Sequence, residues 1–154
     1  MVIHEIPLSE QEIAFSEFYR VLKPGGKLII WDTCLNKDTQ LLFQSVIRKK
    51  DELANFNHLL GTRYFLREDE MKDLGIKSNF RDFTTEHRIN YKIETYKRLA
   101  VEFKGDSNKL LIWNNFIREE VTKLSVDVLE GIRYIDNENS IEFNVEKAIY
   151  TCFK

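Results

Sequence analysis

The chain has 154 residues, 43% of them hydrophobic, which is enough for one compact core and hardly for two. A formal net charge of −2, with charged residues at 31% and spread along the chain, gives no electrostatic reason to expect nucleic acid or a membrane surface as a partner. No apolar run approaches the ~20 residues that span a bilayer, and no basic-then-apolar leader opens the sequence, so a cytoplasmic chain is expected.

Local clusters are sparse. Arg48-Lys49-Lys50 is followed at once by Asp51-Glu52 and reads as a solvated helix face rather than a phosphate site. Cys34 and Cys152 sit in apolar runs and read as buried thiols. His4, His58 and His87 are scattered, with no C-x-x-C and no H-x-x-x-H, so no metal site is predicted.

In chain order, Ser9 and Glu12 have the spacing of a capping box, which predicts a helix start there. Phe15, Phe18 and Leu22 share a face of that helix, and Glu17 with Arg20 suits a surface ion pair. The helix must stop before Pro24, and Gly25-Gly26 admits a tight turn. The apolar run in "KLIIWDT" predicts a strand covered on both faces. Apolar residues at three- and four-residue steps predict a helix over 38–60 with Gly61 at its end. "REDEMKDLG" predicts a short helix closed by Gly75, and residues 80–91 a strand of imperfect alternation. Leu110, Trp113, Ile117, Val121, Leu124 and Val128 predict one long helix with Ser107 as cap, its stripe being core rather than a ligand box. "DNENS" (136–140) reads as a turn and "IEFNVEKAIYTCFK" as one or two closing strands. With no repeat or linker, residues 1–154 read as a single domain.

"HEIP" followed by "EFYRVLKPGGKLIIWDT" resembles the class I S-adenosylmethionine-dependent methyltransferases, in particular those grouped with ubiquinone and menaquinone methyltransferases. The likeness is dense over residues 4–33, and "REDEMKDLGIKSNFRDF" and "EKAIYTCFK" look like later elements in the expected order. It implies an α/β fold: the C-terminal half of a Rossmann-like methyltransferase sheet, with strands corresponding to the fifth, the sixth and the antiparallel seventh, the seventh in the middle, and flanking helices. The six glycines include no G-x-G, so the family's cofactor-binding first half has no counterpart here. A short gene product, a split gene, a misassigned start and a fragment all fit that pattern.

The resemblance implies the acceptor side of a methyltransferase acting on a small molecule and inactive alone; the alternative is a non-enzymatic, self-associating remnant or interaction module, and an unrelated α/β binding domain stays open beside both. S-adenosylmethionine is the cofactor of the complete family domain, and none is expected to bind this chain alone. His4, Glu5, Asp32 and Thr33 would face the acceptor at the strand ends, His4 orienting or deprotonating it, with Arg63 and Tyr64 on a lid. Since the "KLIIWDT" strand would lack its parallel neighbour, the expected partner is a second copy or a complementary N-terminal half.

Overall fold

A computed structural model describes residues 3–154. The first helix, α1 (Leu8–Val21), starts one residue before the expected cap. Pro7 is its N-cap, and neither Ser9 nor Glu12 closes a capping box. The Pro7 carbonyl receives the amides of Glu10 and Gln11 instead, at 2.8 and 3.1 Å. The end of α1 follows the sequence: Leu22 is extended before Lys23-Pro24, and Gly25 takes φ +76°. Glu17 and Arg20 form the expected pair on the open face of the helix.

Strand β1 (Lys27–Thr33) runs antiparallel to the last strand of the chain, from Lys27 opposite Phe153 to Thr33 opposite Lys147. The helical stretch over 38–60 is divided into α2 (Lys37–Leu53) and α3 (Asn57–Leu60). Asn55 sits between them at φ +60°, and the Phe56 amide reaches back to the Asp51 carbonyl at 2.8 Å. Asparagine tolerates the left-handed conformation, so a helix stop that usually shows as glycine went unsignalled.

Helix α4 (Glu68–Lys77) runs through Gly75 and stops two residues after it, with Asn79 at φ +68°. Gly75 therefore serves packing, not termination: a Cβ there would lie 2.5 Å from the ring of Phe83. Strand β2 (Arg81–Glu94) carries Asp82 and His87 at positive φ, which accounts for the irregular alternation of its sequence. After a short α5 (Arg98–Val101), the long apolar stripe is also split, into α6 (Ser107–Val121) and α7 (Val126–Gly131). Asp106, not Ser107, caps α6, accepting the amides of Asn108 and Lys109, while Ser125 caps α7. A hairpin of β3 (Ile135–Asn137) and β4 (Ser140–Phe153) closes the chain, β4 forming one long strand.

The sheet order is β1-β4-β2 with β3 also paired to β4, an antiparallel sheet with helices beside it. The last strand is thus central, as expected. The strand predicted to be covered on both faces is not: Ile30 is 1% exposed, but Ile29 and Trp31 are 59% and 56% exposed.

The chain divides into two compact units. One comprises residues up to 36, 61–89 and 146–154. Its core joins Ile3, Phe15, Ile30, Met71, Phe80 and Tyr150, with Phe83 packed against it. The K-P-G-G turn is fastened to the chain end within this unit, because the Gly25 amide reaches the Lys154 carbonyl at 3.1 Å and the Lys154 amide returns to Gly26 at 2.9 Å. The Lys154 ammonium also caps α1, donating to the Leu22 carbonyl at 2.8 Å. The other unit comprises 37–60 and 90–145. It is built around Trp113, which is wholly buried, meets Phe103 edge-on at 5.8 Å and donates its indole N–H to the Val46 carbonyl at 2.8 Å.

Gly75→Ala should lower unfolding free energy by about 1–3 kcal/mol, as overpacking does. Adding Phe83→Leu should recover part of that loss in urea unfolding. A single variant as stable as the parent would contradict the packing role.

Candidate functional site

The C-terminal end of β1 is organised by one carboxylate. Asp32 is 4% exposed, and such a group is tolerated only if its oxygens are satisfied. The 3-10 turn at Ile3–Glu5 lies across the strand end and supplies the donors. The Ile3 amide meets Asp32 Oδ2 at 2.7 Å, with the His4 amide at 3.3 Å. The Thr33 amide meets Oδ1 at 2.7 Å, and His4 Nδ1 lies 2.6 Å from the same oxygen. Burial alone would raise the Asp32 carboxyl; the hydrogen bond and charge of His4, then the Thr33 and Ile3 amides, outweigh it and hold the carboxyl below its usual range.

A carboxylate only accepts, so Nδ1 of His4 carries the proton it donates. In the neutral form of the ring Nε2 is then the lone-pair nitrogen, the arrangement of an oriented general base. The ring is held from the other side by Phe65, centroid to centroid 4.5 Å, and the Tyr64 amide donates to the His4 carbonyl at 3.1 Å. His4 keeps 18% of its side chain exposed, so the ring is fixed yet reachable.

The four residues singled out by sequence separate into two groups. His4, Asp32 and Thr33 come together, although Thr33 is buried and its carbonyl accepts from the Tyr150 hydroxyl at 2.8 Å. Glu5 turns away: its side chain is 54% exposed and pairs with Arg63 at 3.2 Å. Arg63 and Tyr64 thus both touch the His4 turn.

A polar cluster follows directly beyond β1, and no local pattern announced it. Arg88 donates to both oxygens of Glu68, at 2.6 and 2.7 Å, and to Glu146. Its guanidinium also lies 2.9 Å from the Cys34 sulfur. Burial pushes the thiols of Cys34 and Cys152 up to about 11, so both are protonated and inert at neutral pH. Arg88 is 20 residues from Glu68 in sequence and 58 from Glu146, which is why the cluster is invisible in one dimension.

The adjacent glycines are committed to the α1–β1 turn, Gly25 to Lys154 and Gly26 to the Lys23 carbonyl. The Asp32 oxygens are already taken by Ile3, His4 and Thr33, so this carboxylate is not free to bind ribose hydroxyls. Among the described residues no cluster of three metal-ligating side chains occurs, and no helix is long and apolar enough to cross a membrane.

No protein-family model matches the chain, and no curated protein matches it. Solved structures do. The fold is that of a candidate methyltransferase, BH2331 of Bacillus halodurans C-125, superposing with TM-score 0.75 at 15% identity over 99% of this chain and 65% of that one. The YcgJ protein of Bacillus subtilis superposes with TM-score 0.73 at 15% identity, over 99% of this chain and 60% of that one. The chain therefore spans less than two thirds of either relative's length. At this identity the likeness is one of fold.

A lowered Asp32 pKa means that its stabilising contribution is present above the unfolded value of about 3.9 and is lost as pH falls through the folded one. Asp32→Asn should thus cost about 1–3 kcal/mol at neutral pH, with the gap from the parent shrinking below about pH 4. Urea unfolding across pH checks this; a gap that stays constant into strong acid would overturn it.

Proposed function

We propose that this chain is the acceptor-side half of an S-adenosylmethionine-dependent methyltransferase acting on a small molecule, of the kind grouped with ubiquinone and menaquinone methyltransferases. The observation that carries the reading is the His4–Asp32 pair at the C-terminal end of β1, the end where open α/β sheets bind ligands. The sheet order β1-β4-β2 and the fold likeness to a candidate methyltransferase support it.

The chemistry asked of the chain is modest. A bound sulfonium donor supplies an already activated methyl group, so a protein mainly aligns and desolvates the acceptor. His4 Nε2 receives the acceptor's O–H or N–H proton, and Asp32 keeps the ring in the required tautomer and orientation. Phe65 holds the ring plane. Glu5 and Arg63 close the rim as an ion pair.

The cofactor then belongs to a complementary N-terminal half bearing the glycine loop. Titrating S-adenosylmethionine into the 154-residue chain by calorimetry should give no heat of binding. Fusing an N-terminal methyltransferase segment that carries the glycine loop ahead of Ile3 should restore it. Binding by the chain alone at micromolar affinity would overturn the proposal, as would a folded fusion that stays inert.

A second reading, self-association without catalysis, is favoured by one feature. β1 has β4 as its sheet neighbour and presents Ile29 and Trp31 more than half exposed on a sheet edge. Such an edge templates strand pairing. Sedimentation should show a dimer or larger species that Trp31→Glu converts to monomer. A parent chain that stays monomeric at high concentration would sink this second reading and leave the first standing.

A further inference from the structure

Strand β1 is apolar on both of its faces. Ile30 and Leu28 turn inward and join the core that Phe15 of α1 and Met71 of α4 build. Successive side chains of a strand alternate, so Ile29 and Trp31 turn outward, and both are more than half exposed. Residues opposite one another on an antiparallel pair share a face. The register therefore sets Trp31 beside Ile149, Ile29 beside Thr151 and Lys27 beside Phe153 on the outer side, with Lys147 opposite Thr33 at its far end.

An antiparallel sheet that shows one face to water carries polar residues on it. β1 breaks that rule, and its unbroken apolar run suits a sheet with a layer on each side. The inner side has its layer in α1 and α4, whereas the outer side leaves Ile29 and Trp31 bare.

Width and length select the kind of layer. Beyond β4 the outer side turns polar, because the Thr151 hydroxyl donates to Glu86 at 2.9 Å and meets the Thr84 hydroxyl at 2.8 Å. The apolar ridge is thus two strands wide, about 10 Å, which is the width of one helix. From Lys27 to Thr33 it runs roughly 20 Å, the length of about 14 helical residues.

Charge selects the helix. Lys27 and Lys147 bracket the ridge, with ammoniums 5.7 Å from the Phe153 ring and 5.2 Å from the Trp31 ring. Cations drawn over apolar surface have shed part of their water, so a carboxylate arriving beside each gains a close partner. Glu86 lies near Lys27 but is held by the hydroxyls of Thr151 and Thr84. A lipid surface fits less well, since it would have to take up that polar strip together with the ridge.

We propose that the outer face of β1 and β4 docks one amphipathic helix of a partner protein, apolar along the stripe that meets Ile29, Trp31 and Ile149, with a carboxylate at each end for Lys27 and Lys147. Asp32 belongs to the inner side of the strand, so docking here goes beyond the methyl-transfer reading and does not depend on the His4–Asp32 pair.

Tryptophan emission of the full chain tests this. Trp31 and Trp113 are its two tryptophans, and Trp113 is wholly buried, so a blue shift on adding a ligand reports Trp31. The probe is an alanine-based helical peptide with a leucine stripe and two glutamates about 14 residues apart, a spacing that keeps both on one face. It should give a saturable blue shift, and the same peptide with lysines in place of the glutamates should bind about tenfold more weakly. Trp31→Phe should remove the shift. Lys147→Gln should weaken the acidic peptide a few-fold and flatten its salt dependence. Equal affinity for the two peptides, no saturable shift, or an unchanged affinity in folded Lys147→Gln would overturn the proposal. So would a larger shift with phosphatidylserine vesicles than with the acidic peptide, or a shift that the chain alone develops as its concentration rises, which would assign the face to a membrane or to a second copy. S-adenosylmethionine binding is not read in any arm, so the two readings fail separately.

Discussion

Burying one negative charge organises the end of the first strand. Asp32 sits at the last inward-facing position of β1 before Thr33, where its carboxylate has no solvent to satisfy it. An unpaired buried charge would cost several kcal/mol, so the chain must bring donors to it. Two of those donors are the backbone amides of Ile3 and Thr33, and a third is the ring of His4. The requirement that stabilises the strand end also positions the imidazole. On the proposed function, structural and chemical roles fall on the same contact, and a loss of activity on altering Asp32 would be read through His4 rather than as direct contact with a substrate.

A second constraint fixes where β1 stands. The strand follows a helix that must stop at Pro24, and its turn is tied by both glycines' backbone to Lys154 at the end of β4. The carboxy-terminal strand is thereby locked beside β1 over seven paired positions, Lys27–Phe153 to Thr33–Lys147. On the opposite margin of β1 no strand pairs among the described residues, and on the face away from Ile30 the strand exposes Ile29 and Trp31. Lys147 covers part of Trp31, its ammonium 5.2 Å from the ring. Covering an apolar surface with a lysine stem is weaker than burying it, so this face is where an added apolar partner gains most.

The ends of α2 and α4 share one cause. The sequence marks a glycine stop at residue 75 and none near 55. In the folded chain asparagine takes the left-handed position at Asn55 and Asn79, and Gly75 is occupied by the approach of Phe83. A stop signal and a packing signal use the same residue, and only the distance to a ring 8 positions on distinguishes them. The capping box at Ser9 failed for a related reason: the Pro7 carbonyl already satisfies the amides at 10 and 11, leaving Ser9 exposed. The meeting of Arg88, Glu68 and Glu146 is silent in the sequence, because charged residues far apart in a chain carry no mark of it.

From its order of residues alone, the chain determined a helix, a tight turn and a strand at 8–33, a central closing strand, a buried Trp113 stripe, and the nearness of His4 and Asp32. Periodicity and backbone geometry are local, and the family-like run around the K-P-G-G turn carries its topology with it. Tertiary structure decided what those residues are for. It paired His4 with Asp32 at 2.6 Å and sent Glu5 to Arg63, and it turned the amide of Gln11 so that its oxygen has no donor. Such outcomes depend on which groups must be satisfied away from water, and that is known only once distant segments are in contact.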